Sequence, residues 1–242
     1  MIELELRSVK PEVLEFARRA WAERAMTEYR SLQIMTRFVS ELAAAGVALE
    51  TQTWAAELIT DELRHAALCR EVCRALGTAP RMPEPLALPD PPSFLALPAN
   101  QRAVMTAVTM LLVSESLSVA VIEDLRVRCE NPPIRAVLDA LVGDEAEHEQ
   151  HGLDFVRGSL ARSPPAALPG WRDIAQKALE PRLSQQRAIV ASLPTAKQTR
   201  DAWPEPELVA LGLMGPERQA IVYVDAYERV LAPRLRDVGL LV

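Results

Sequence analysis

Glycine, aromatic residues, histidine and cysteine are all scarce in this sequence. Only nine of the 242 residues are glycine, while 49% are hydrophobic, mostly Ala, Leu and Val. That balance favours helices over sheets. Three cysteines, Cys69, Cys73 and Cys129, with no secretory leader ahead of them, read as free thiols in a cytoplasmic protein. There is no long basic run, and the net charge is −6, so no nucleic-acid partner is expected. Nor is a membrane span expected. The longest apolar run, Ala103 to Ile122, carries Ser114, Glu115, Ser116 and Ser118 near its middle. A charge at mid-membrane is costly, so the run reads as a helix buried on several sides. Proline is the exception to the scarcity, with nineteen residues clustered between the periodic segments as punctuation.

The length suits one domain over 1–242 with a sizeable core. Apolar residues at spacings of three and four predict four long helices. The first runs from about Pro11 to Ala45, with the stripe Leu14, Ala17, Trp21, Ala25, Glu28, Leu32, Met35, Val39, Leu42. The second runs from about Leu49 to Leu76, with Ala55, Leu58, Glu62, His65, Cys69, Val72, Leu76. A proline-rich stretch, Thr78 to Pro98, is predicted to be extended. The third helix, about Asn100 to Glu130, has the stripe Val104, Val108, Leu111, Glu115, Val119, Ile122. The fourth, about Ile134 to Ala161, has Ile134, Leu138, Leu141, Glu145, His148, Gly152, Phe155. Two more helices are predicted, at about Trp171–Ser192 and Glu217–Leu231, the latter stopping before Pro233, with an irregular stretch from Pro194 to Pro216.

Ionisable groups interrupt each apolar stripe, and they repeat. Each predicted hairpin carries one glutamate on its first helix and Asp-Glu-x-x-His on its second: Glu28 with Asp61-Glu62-Leu63-Arg64-His65, and Glu115 with Asp144-Glu145-Ala146-Glu147-His148. Glu at i and His at i+3 share a helix face. At ~1.5 Å per residue, Glu28, Glu62 and His65 each lie roughly 25 Å from the turn near Gly46, and the second set sits at similar depth. Four carboxylates and two imidazoles around one point form the ligand set of two-metal carboxylate bundles. Four buried carboxylates without cations would be prohibitively costly, and two divalent ions offset them. The alternative for the histidines is a pair of core residues satisfied by neighbouring carboxylates. The proline-rich stretch has the reach for a long crossover between the second and third helices.

With these motifs in place, the chain resembles the ferritin-like di-iron carboxylate superfamily over about residues 11–160. DELRH at Asp61–His65 is similar to the motif of bacterial multicomponent monooxygenases and of ribonucleotide reductase small subunits. DEAEH at Asp144–His148 departs from it, with Glu147 where arginine is often found. The resemblance implies an all-α fold: a ferritin-like four-helix bundle (11–161) plus a C-terminal helical extension (170–242). It implies metal ligands at Glu28, Glu62, His65, Glu115, Glu145 and His148, binding two iron ions, with manganese as the alternative. It further implies that Asp61 and Asp144 accept hydrogen bonds from the ligand histidines; otherwise they are helix-surface charges.

Size and ligand spacing are most similar to small single-chain di-iron oxygenases. The expected function is therefore a non-haem di-iron oxidoreductase that activates dioxygen to oxidise a small, largely apolar organic substrate. It would draw electrons from an external donor or from the substrate. The alternatives are a ferroxidase or iron-handling protein, and a di-manganese enzyme that disproportionates peroxide. The C-terminal helices are expected to close the pocket or to form a homodimer interface.

Other residues divide between roles. His151, one turn beyond His148, is a catalytic candidate as proton donor to bound oxygen, an extra ligand, or a polar surface residue. Gly143 and Gly152 flank the second motif and imply a local bulge aiming Glu145, room for substrate, or close helix packing. Cys69 reads as core. Tyr29 points away from the stripe, and Glu23 and Glu123 lie off it.

Overall fold

The computed structural model describes residues 2–79 and 90–242. Among them there is no strand, and the chain is mostly helix. The long helices are α1 (Pro11–Ala44), α2 (Leu49–Ala75), α3 (Ala99–Arg128), α4 (Pro132–Arg162) and α5 (Leu168–Ser192). A further helix, α6, begins at Pro216–Ala226 and runs on to residue 237. The middle of the predicted crossover, residues 80–89, lies outside the described residues; the described remainder includes a single turn at Pro92–Leu95.

Local chemistry sets the ends of the first hairpin. Pro11 opens α1, where its missing N–H costs nothing. Gly46 and Gly77 close α1 and α2 with φ of 64° and 73°. In that left-handed conformation Val47 N–H reaches Leu42 O at 3.1 Å and Thr78 N–H reaches Cys73 O at 2.9 Å, satisfying carbonyls the helix leaves open.

The chain folds as two compact units. The first comprises 1–103, 129–141 and 207–213. In it α1 packs along α2 through Ala17, Trp21, Ala25, Met35, Phe38 and Leu42, facing Ala55, Leu58, Cys69 and Val72. Each fully buried large apolar side chain contributes about 1.5–3 kcal/mol. Leu32 and Val39 are half-buried, with Ser31 and Phe38 taking the inward places beside them. The Trp21 indole N–H donates to Leu211 O at 2.8 Å. Glu41 is buried between Arg37 and Arg102.

The second unit comprises 104–128, 142–206 and 214–242, so the second motif shares a unit with the C-terminal helices. Two findings here differ from the sequence expectation. α3 is not uniformly α-helical: Ala107–Ser114 is π-helix. Burial recurs there at a spacing of five, from 106–108 to 111–113, as i→i+5 hydrogen bonding requires. The second helix predicted for this region does not stop before Pro233. Tyr227–Leu231 winds as π-helix and Ala232–Asp237 continues as α-helix. A π turn reroutes the ladder at the point where proline lacks an N–H.

α3 is the one helix among the described residues long and apolar enough to cross a membrane, but 56% of its most apolar stretch is buried, as in a core helix.

A buried ion cluster ties this unit together. Asp124 accepts from Arg218 Nη2 at 2.8 Å and Nε at 3.0 Å, and from Arg200 Nη2 at 2.9 Å. Burial alone would raise the Asp124 carboxyl, but Arg218 and Arg200 hold it below the ordinary 3.8. The stability this supplies is present above that value and is lost as pH falls through the lower folded-state value. Asp124→Asn leaves Arg218 buried without its counter-charge. It is expected to cost about 3–5 kcal/mol at pH 7, measured by urea unfolding, with the gap to wild type narrowing at pH 3. An equal gap at both pH values contradicts this.

Candidate metal centre

The first half-site is built wholly within the first hairpin. Glu28 sits midway along α1, where the apolar stripe would otherwise continue. Glu62 and His65 occupy one face of α2, three residues apart. Their relative exposures are 8%, 0% and 0%. His65 Nδ1 lies 3.9 Å from Glu28 Oε2 and 3.9 Å from Glu62 Oε2. Each residue offers a donor atom within 4.8 Å of the others. A separation of 3.9 Å is too long for a hydrogen bond. It does suit ligands of one ion, since bonds of about 2.0–2.2 Å place two donors roughly 3–4 Å apart. Two carboxylates and an imidazole are also a donor set that manganese, iron and zinc accept. The residues therefore fit a divalent metal.

The second half-site repeats the composition. Glu145 and His148 are buried on α4, and His148 Nδ1 lies 3.0 Å from Glu145 Oε2. Glu115 is buried on α3 at the first residue after the π-helix. Its backbone N–H bonds Met110 O, five residues back. The Ser114 hydroxyl likewise donates to Thr109 O, five residues back, at 3.0 Å. The phase at which α3 presents Glu115 is thus set by the π segment, a feature the periodicity did not reveal.

The remaining candidates are placed as follows. Asp61 is half-buried and pairs with Arg64 Nη2 at 3.0 Å; Asp144 is half-buried. His151 is exposed, which fits the surface reading. Cys69 is fully buried in the α2 stripe, as core. Burial pushes the neighbouring Cys73 thiol up to about 11, so it stays protonated at neutral pH. Tyr29 is half-buried and Glu23 exposed. Glu123 pairs with Arg126, whose hydrogen bonds hold its carboxyl below the usual range. Of the three readings of Gly143 and Gly152, the bulge is not found, since α4 is continuous α-helix, and the irregular turn lies in α3. Gly152 serves close packing: a Cβ there would lie 2.3 Å from Leu111 Cβ.

Glu149, Asp124 and Arg218 are among the buried polar residues that the sequence reading missed. Glu149 follows His148 and is 6% exposed. It accepts hydrogen bonds from the Ser116 hydroxyl and from the Arg234 guanidinium. Asp124 and Arg218 form the cluster described above. Glu149 adjoins a motif and could have been flagged, but its partners lie 33 and 85 residues away. The second unit also holds a cavity of about 280 Å³ between α5 and the C-terminal residues, lined by Leu179, Leu183, Tyr227, Leu235 and Leu240 among others. None of its lining residues is a candidate ligand.

The chain matches no known protein family, no curated protein and no solved structure.

Proposed function

We propose that the two half-sites come together in a ferritin-like four-helix arrangement and hold two metal ions, most readily iron. In this reading the protein is an oxygen-activating oxidoreductase acting on a small, largely apolar organic substrate. The observation that carries the proposal is burial. Glu28, Glu62, His65, Glu115, Glu145 and His148 are each no more than 8% exposed. Carboxylates are rarely buried unless something offsets their charge. The repeat supplies four carboxylates and two imidazoles, which is the requirement of two divalent ions.

Bound reduced iron would supply the electrons that activate dioxygen. The chain's own residues fix the ligands on helices rather than loops, keep bulk water away with the apolar stripes, and hold each imidazole beside a carboxylate. Inserting one oxygen atom into a substrate and reducing the other to water consumes two electrons and two protons. Those electrons are proposed to come from an external donor, and the cell compartment is proposed to be the cytoplasm.

The test is oxygen uptake by protein loaded anaerobically with two ferrous ions per chain. Rapid uptake that ceases after one turnover, and resumes only with added reductant, is expected. Continued iron oxidation far beyond two per chain would favour an iron-handling protein. Turnover of peroxide by the manganese-loaded form would favour peroxide disproportionation.

A further inference from the structure

The second half-site is braced from the C-terminal segment by a part-buried polar bridge. Ser116 directly follows Glu115, and Glu149 directly follows His148. Ser116 is 2% exposed, and its hydroxyl meets both the Glu149 carboxylate and Leu112 O, the latter at 2.6 Å. The same Glu149 oxygen, Oε1, accepts from Arg234, which lies in the helical turn Ala232–Asp237 just past a π-helical segment. One carboxylate thus joins α3, α4 and α6, at the residue after a candidate ligand on each of the first two.

We propose that Arg234, acting through Glu149 and Ser116, is a positioning residue that sets the rotation of α3 and α4 and so aims Glu115 and His148. The inference rests on the metal-binding reading above. Each residue next to a ligand points about 100° away from it, so Ser116 and Glu149 stand beside the ligand stripe rather than in it. Holding them fixes helix rotation. A turn of about 10° moves a side-chain tip some 6 Å from the helix axis by roughly 1 Å, beyond the ~0.5 Å that a ligand site tolerates. Apolar residues of similar volume would dock the same helices at no loss of stability. A part-buried charge pair adds fixed direction to that docking, and the direction it fixes is that of the ligand-bearing helices.

Cobalt(II) binding tests this, read by its affinity and its visible bands. In Glu149→Leu/Arg234→Met both charges leave together, so the metal-free protein is expected to unfold near the wild-type midpoint. Its cobalt affinity is expected to fall about tenfold to a hundredfold, with shifted bands. Ser116→Ala, which removes one hydroxyl, is expected to shift both readouts the same way by less, and it stands as the test if the double variant does not fold. Wild-type affinity and bands in both variants would overturn the inference while leaving the metal site intact. A wild type that binds no cobalt, iron or manganese would overturn the metal reading and this inference with it.

Discussion

Glu62→Gln is expected to raise the stability of the metal-free protein and to abolish its stabilisation by metal. In the first half-site two carboxylates, Glu28 and Glu62, face one imidazole, His65. Without a metal the two buried carboxylates repel each other. An amide of the same shape at position 62 removes that repulsion together with one buried negative charge. Relief of this kind contributes on the order of 1–4 kcal/mol, or about 2–16 °C in Tm for a chain of this size. The metal-bound protein behaves in the opposite way. At a free metal concentration about 100 times Kd, wild type gains about 2.7 kcal/mol, roughly 5–10 °C. A neutral amide is a poor ligand, so the variant should gain nothing. Thermal melts of both proteins with and without ferrous or manganous ion check this. A variant that is less stable without metal and just as responsive to metal would contradict it.

Gly152→Ala is expected to destabilise the protein strongly, and Gly143→Ala to stabilise it, although both replace a glycine within α4. A methyl group at position 152 would stand 2.3 Å from Leu111 Cβ, 3.2 Å from its carbonyl carbon and 3.3 Å from its Cα. Two of these atoms are backbone, inside the π segment that delivers Glu115, so the helices must move apart. Overpacking of this sort costs about 1–3 kcal/mol or more, which exceeds the ~1 kcal/mol that alanine gains over glycine in a helix. The displaced backbone carries His148 one turn away and Glu115 one turn on, so metal affinity should fall with stability. Gly143 is exposed, and a Cβ there meets nothing within 4 Å. Only the propensity gain of about 0.5–1 kcal/mol remains. Urea midpoints measure both effects, and equal tolerance at the two positions would contradict the packing account.

The α1 and α2 stripes were legible because amphipathic helices write their phase in the sequence. Ala17, Trp21, Ala25, Met35 and Leu42, and all of Ala55, Leu58, Cys69 and Val72, are buried where the period places them. The same periodicity exposed Glu28, Glu62, His65, Glu115, Glu145 and His148 as misfits in apolar rows, and every one of them is buried.

The π-helix was illegible for the converse reason. Ala107–Val113 is apolar at nearly every position, so a shift from four-residue to five-residue spacing leaves no mark. The continuation of α6 past Pro233 was hidden by a similar π turn. Long-range polar contacts were also out of reach. Asp124 meets Arg218 across 94 residues and Glu149 meets Arg234 across 85, and no local pattern links such partners. Glu149 also lies in the run Glu145-Ala146-Glu147-His148-Glu149-Gln150-His151, where an additional acid draws no notice.

The most direct test of the central claim is metal content per chain in protein produced with iron and manganese both available, for wild type and for two variants, Glu62→Ala/His65→Ala and Glu145→Ala/His148→Ala. Two metal ions per wild-type chain, with marked loss in each variant, is the result predicted if both half-sites serve one dinuclear centre. A wild type carrying no more metal than either variant would contradict the claim and leave six buried ionisable groups to be explained without metal.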